Sequence, residues 1–180
     1  MTFHDVLGFW FSSATRPKWF EQSDAFDNEV RRLLLPLHEQ AAAGRLTDWR
    51  EHPEGCLASV ILLDQVPRNV FRGTPRAFAS DPVARDLTKL AIERGYDAGL
   101  DRDQRLFLYL PLEHSEDLGD QRLSVEITRT RIGDPEYIDY AERHLRIIQR
   151  FGRFPHRNRI LGRPSTEEEI EFLRQPGSSF

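Results

Sequence analysis

The chain has 180 residues, of which 39% are hydrophobic, 11% aromatic and 30% charged, a globular balance too apolar for a disordered chain. No apolar run approaches the ~20 residues of a membrane-spanning helix, and one cysteine, Cys56, excludes an internal disulfide and any multi-cysteine metal centre. A net charge of −4 supplies no global positive field, so nucleic acid is not an expected partner.

The size is that of one domain, taken here as a single helical domain over residues 1–180. Met1-Thr2-Phe3-His4-Asp5 lacks the basic-then-apolar pattern of a secretory signal, so a cytoplasmic location is expected. The aromatic stretch Phe9-Trp10-Phe11, followed by Trp19-Phe20, is read as core packing. From Asp24 to Ala43, Phe26, Val30, Leu33, Leu34 and Leu37 recur at helical spacing. Ser23 is positioned to cap that helix and Gly44 to close it, while Pro36 is expected to kink or split it. Pro53 suits the first turn of the next helix, whose run Leu57 to Leu63 is apolar all round and belongs in the middle of a bundle. Cys56 in this run is read as a buried small hydrophobe.

Asp81-Pro82 reads as an N-cap followed by a first-turn proline, opening a helix that closes at Gly95. Leu106 to Leu110 is a short apolar helix expected to stop near Pro111. Two amphipathic helices, Leu118 to about Ile132 and Pro135 to about Arg150, are joined by Gly133-Asp134-Pro135. Ser165-Thr166-Glu167-Glu168 has the form of a capping box before a last helix. Strand and hairpin signals are missing. The expectation is an all-α chain of seven to nine helices in antiparallel pairs, with a tetratricopeptide-like rhythm but no readable repeat.

Nucleotide loops, the nucleophile elbow of the α/β-hydrolases and the His-Glu-x-x-His zinc pattern are all missing from the sequence. Three polar clusters at the edges of apolar segments remain as candidate chemistry. In the first, Asp64, Gln65, Arg68 and Asn69 end the central apolar run; they are ligand-binding candidates, or else a salt bridge that finishes the helix. In the second, Glu113 and Glu116 lie three apart around His114, a carboxylate pair suited to raising one pKa and supplying a general acid. Helix capping accounts for Ser115 to Asp117 equally well. The third, Phe151 to Asn158, is a rigid turn of glycine, proline and aromatics that aims Arg153, His156, Arg157 and Asn158, with His144 on the preceding helix. Arg146, Arg150, Arg159 and Arg163 flank it.

Taken together, Glu113, His114, Glu116 and His156 are the candidate catalytic groups. Asp64, Gln65, Arg68, Asn69, Arg153, Arg157, Asn158 and His144 are the candidate ligand-binding groups. The expected partner is a small anionic molecule, with a helical adaptor for a peptide as the alternative. A metal-dependent enzyme using Glu113, His114, Glu116, His144 and His156 is a further alternative, and no cofactor is specified. A structural ion-pair network would use the same arginines.

With these residues in view, the chain resembles the bacterial family called domain of unknown function 924. The resemblance rests on Val6 to Phe11, Trp19-Phe20, Leu62 to Asn69 and Arg72-Gly73-Thr74 to Asp81. It continues through Leu110 to Glu116, Phe151 to Asn158 and Leu161 to Thr166. It implies an all-helical, tetratricopeptide-like fold and no established reaction.

Overall fold

The computed structural model describes residues 1–179, which form helices and turns with no β-strand among them. They fall into two compact units: unit 1 comprises residues 1–72 and 76–111, and unit 2 residues 73–75 and 112 onward.

Unit 1 is organised by a rod running from Pro53 to Val70. It begins as α3 (Pro53–Val60), passes through a π-turn (Ile61–Gln65) and continues as α4 (Val66–Val70). Every residue from Gly55 to Pro67 is buried, as an all-round apolar run requires. Helix α1 (Phe3–Trp10) packs on α3, α2 (Asp24–Ala42) on α4 and the π-turn, and α5 (Asp81–Glu93) on α3. The extensive packing therefore joins helices to this shared rod as well as sequence neighbours to one another. Gly55 permits close approach, since a Cβ there would lie 2.3 Å from the Trp49 carbonyl oxygen.

The π-turn alters the hydrogen bonding of the rod. The Val66 N–H donates to the Ile61 carbonyl, five residues back. Three successive carbonyls are then held by side chains: Leu62 by His38 Nδ1 at 2.8 Å, Leu63 by Ser80 Oγ at 2.5 Å and Asp64 by Arg68 at 2.7 Å. Burial lowers the His38 pKa against the opposing pull of that carbonyl.

Several local expectations shift in the folded chain. Pro36 sits inside one continuous α2, which Ser23 caps by accepting from the Phe26 N–H. Ser80, not Asp81, is the N-cap of α5, so Pro82 falls in its second position. Helix α6 (Arg102–Glu113) runs through Pro111. Trp10, Phe26 and Phe107 enter the core as expected, whereas Phe20 stays 68% exposed.

In unit 2, α7 (Leu118–Ile127) leads into a second π-turn (Thr128–Ile132) and packs against α8 (Pro135–Phe151). Gly133, with φ +72°, and Asp134, whose side chain accepts from the Glu136 N–H, connect them. The short α9 (Glu167–Leu173) has Thr166 as its N-cap and Glu169 completing the capping box, one residue beyond the Ser165–Glu168 pair.

Candidate functional site

The first cluster belongs to unit 1 and is tied up in ion pairs there. Arg68 makes two hydrogen bonds to the Asp81 carboxylate, at 2.8 and 2.9 Å, and lies 3.2 Å from the fully buried Asp64. Gln65 donates to Asp64 at 2.6 Å, and Asn69 donates to Asp27, which also holds Arg72. Burial works against the Arg68 charge, but the flanking aspartates more than offset it and raise its pKa. Asp64, Gln65, Arg68 and Asn69 are thus each held by carboxylates or guanidinium groups beside the π-turn.

The second and third clusters both lie in unit 2, where they sort into two arrangements. Helix α8 carries Ala141, His144, Ile147 and Ile148 on its buried stripe, which places an imidazole among apolar neighbours. Gly152, at φ +68°, ends α8, and the chain turns back so that Phe154 packs on Ile147 and Ile148.

One arrangement is a salt-bridge network. Arg153 donates to both carboxylate oxygens of Glu169, at 2.6 and 2.8 Å, and to the Pro164 carbonyl. Asn158 bonds Ser165 and Glu169 and accepts from Arg163. Arg163 also grips Glu116 with two hydrogen bonds, at 2.7 and 2.9 Å, while Glu116 accepts the Phe154 N–H. Hydrogen bonds from Arg153 lower the Glu169 pKa to about 2. For Glu116, burial pushes upward, but Arg163 and the Phe154 N–H bring the pKa below its ordinary value. The expected carboxylate pair, in which Glu113 would raise Glu116, is replaced by this arginine contact.

The other arrangement surrounds the fully buried Phe154 ring. His144 meets it edge-on at 5.6 Å, His156 lies 5.7 Å away and the Arg157 guanidinium sits over it at 4.6 Å. His114 is 6.5 Å from His144, ring to ring, and Glu113 Oε1 lies 3.4 Å from His144 Nδ1. That Nδ1 also lies 2.9 Å from the Tyr140 carbonyl, which only accepts, so Nδ1 carries the proton and Nε2 the lone pair. Burial pushes the His144 pKa down to about 3; burial and the adjacent Arg157 push that of His156 down to about 4. Glu113, His144 and Arg157 are buried, and His114 and His156 are half-buried, so the latter form the rim that solvent reaches.

Several supporting residues carried no sequence signal of this role. Gln121, fully buried on α7, donates through Nε2 to the Glu113 and Ser115 carbonyls at 2.6 and 2.7 Å, fixing the turn that bears Glu113 and His114. Ser115 donates to Asp120 in the same turn. Glu169 and Thr166 looked only like helix-start residues, and Phe154 like one aromatic among several. Among the described residues, no three His, Cys, Asp or Glu side chains converge as metal ligands, so the five-residue metal set is not assembled. A cleft of about 270 Å³ is lined by Pro53, Glu54, Gly95, Tyr96, Gly99 and Leu100, outside all three clusters.

The family model for bacterial proteins of unknown function called DUF924 matches residues 6–177. The chain belongs to this family. It is also similar to a solved structure described as a protein of unknown function, ATU0120, from Agrobacterium tumefaciens. The two share 42% identity over 95% of this chain and 96% of that one, with a TM-score of 0.91. No curated protein matches. The DUF924 fold is thus established for this chain, and any activity must be argued from the side chains. No helix among the described residues is long and apolar enough to cross a membrane.

Proposed function

We propose that Glu113, His114, His144, His156 and Arg157 bind a small anionic molecule and move a proton on it, as a hydrolase-like acid/base site. The observation that carries this reading is the gathering of two imidazoles and a guanidinium around one buried phenyl ring, with a third imidazole, that of His114, 6.5 Å from His144. Two imidazoles with pKa values of about 3 and 4 are neutral at pH 7, so they offer lone pairs and N–H donors without charge. Arg157 supplies the planar donor set that suits an oxyanion. Glu113 and the Tyr140 carbonyl orient His144, the arrangement by which a second group fixes the tautomer of a base. His156 and His114, at the solvent-reached rim, are the proton carriers.

The test is a thermal-shift survey of small carboxylates and phosphates against the unaltered chain and the variants His114→Ala and His156→Ala. At least one anion should raise the melting midpoint, and each variant should keep its far-UV circular dichroism while losing that response. A survey with no responding anion, or variants that respond undiminished, would contradict the proposal.

A further inference from the structure

We propose that the cleft beside Tyr96 in unit 1 is a binding site for a small organic cation, an ammonium or guanidinium head on a short aliphatic stem. The cleft holds about 270 Å³ and lies outside all three polar clusters. It falls just below the roughly 300 Å³ at which pockets for drug-sized ligands begin, so its occupant is small. Two segments build it. Pro53 and Glu54 are the first two residues of α3, and Gly95 to Leu100 follow the end of α5. Gly95, at φ +68°, turns the chain out of α5, and Tyr96–Gly99 forms a short 3₁₀ turn that brings the Tyr96 ring to the cleft. At Gly99 an added Cβ would meet nothing within 4 Å, so the cleft is open at that point.

The lining fixes the class of ligand. Pro53, Leu100 and the Tyr96 ring offer apolar surface, Gly95 and Gly99 offer backbone, and Glu54 carries the single charge. Among the described residues, no hydrogen bond or ion pair engages the Glu54 carboxylate, so it is not committed to capping α3. Arg94 is directed elsewhere: it donates to the Arg50 carbonyl at 3.2 Å, and to Glu51 and the Tyr96 hydroxyl at 3.1 Å. Its guanidinium lies 5.8 Å from the Tyr96 ring centre, with Glu51 balancing its charge, and its bond to the hydroxyl holds that ring in place. A cation in the cleft gains the Glu54 carboxylate and the negative face of the ring together, while its stem covers Pro53 and Leu100. An anion meets a carboxylate and no lining cation, and is repelled. A neutral alcohol of the same length gains only the apolar contact.

The experiment follows the backbone amide signals of Gly95, Tyr96, Gly99 and Leu100 in the isotope-labelled chain by NMR at pH 7. The chain is titrated at constant ionic strength with n-butylammonium, n-butanol or butyrate, which have equal carbon counts. Butylammonium should saturate the shifts at a concentration about tenfold lower than butanol, and butyrate should not saturate them. Glu54→Gln, at an exposed position, should keep the fold and raise the butylammonium requirement about threefold. Tyr96→Leu should raise it by a similar factor of about three, and Tyr96→Phe should restore it. The blocked lysine N-acetyl-lysine methylamide presents the same head group on a side chain. Saturation as early as with butylammonium extends the site to a partner's lysine, later saturation assigns it to free amines, and both sustain the cation site. Butanol or butyrate binding as tightly as butylammonium, saturation by none of the three, or an unchanged preference in folded Glu54→Gln overturns the proposal. If Glu54→Gln does not fold, the ratio among the three probes in the unaltered chain decides.

Discussion

Two regions of unit 2 use the same residue types to opposite ends. In the network of Glu116, Arg163, Asn158, Glu169 and Arg153, the carboxylates and guanidiniums meet at 2.6–2.9 Å and hold their charges. Around Phe154, the titratable groups are imidazoles that burial keeps uncharged, with Glu113 3.4 Å from its histidine. The first region closes its chemistry internally and behaves as a brace. The second gathers imidazoles whose protonation falls within the acid range. The chain segment Arg153 to Asn158 feeds both, so one rigid turn separates structural from chemically responsive side chains.

The largest expected effect breaks both regions together. Phe154→Ala removes a fully buried ring packed on Ile147 and Ile148, and should cost about 3–5 kcal/mol by urea unfolding. Next, Glu169→Ala removes the acceptor of Arg153 and Asn158 and one half of a capping box. It should cost about 2–3 kcal/mol while leaving the His144 and His156 NMR titrations in place. A change in those titrations as large as the stability loss would merge the two regions.

Acid should separate them. A histidine whose folded-state pKa lies below its unfolded value of 6.5 contributes stability that is complete above pH 6.5 and is lost as pH falls toward the folded value. For His144 the window runs from about 6.5 to about 3, with a loss of roughly 2 kcal/mol by pH 5; His156 adds to it down to about pH 4. Glu169 acts in the same direction at lower pH. Its contribution is present above the ordinary carboxylate value of 4.5 and is lost as pH falls through about 2. Unfolding free energy measured against pH should therefore decline in two stages, and His144→Gln should flatten the upper one. The smallest effect concerns Ser124, whose buried hydroxyl has no hydrogen-bond partner among the described residues. Ser124→Ala should be neutral or stabilise by up to about 1 kcal/mol in the same urea assay.

Much of this architecture was legible from residue order. The all-round apolar run after Pro53 announced a central element, and Ser23, Asp134 and Gly133 announced the helix ends where they occur. Clusters at Asp64, Glu113 and Arg153 were visible because polar residues abut apolar runs. Proline was the weaker guide: Pro36 and Pro111 lie within helices, since packing compensates for a lost hydrogen bond. The π-turns were invisible, because the extra residue in a turn is stabilised by distant groups, such as His38 and Ser80 on the freed carbonyls.

Lys18 and Lys89 are the only lysines in the sequence, so nearly every basic partner open to a carboxylate is a guanidinium. Sequence by itself thus determined the helical class, the family and the candidate residues, because hydrophobic period, caps and ordered motifs are local properties. Only the tertiary structure decided which arginine met which carboxylate. It alone paired Arg153 with Glu169 and Arg163 with Glu116, and set Arg157 over Phe154 beside the histidines. Ion pairing and desolvation depend on positions in space, and residues as far apart in sequence as Glu116 and Arg163 come within hydrogen-bond reach only when the chain has folded.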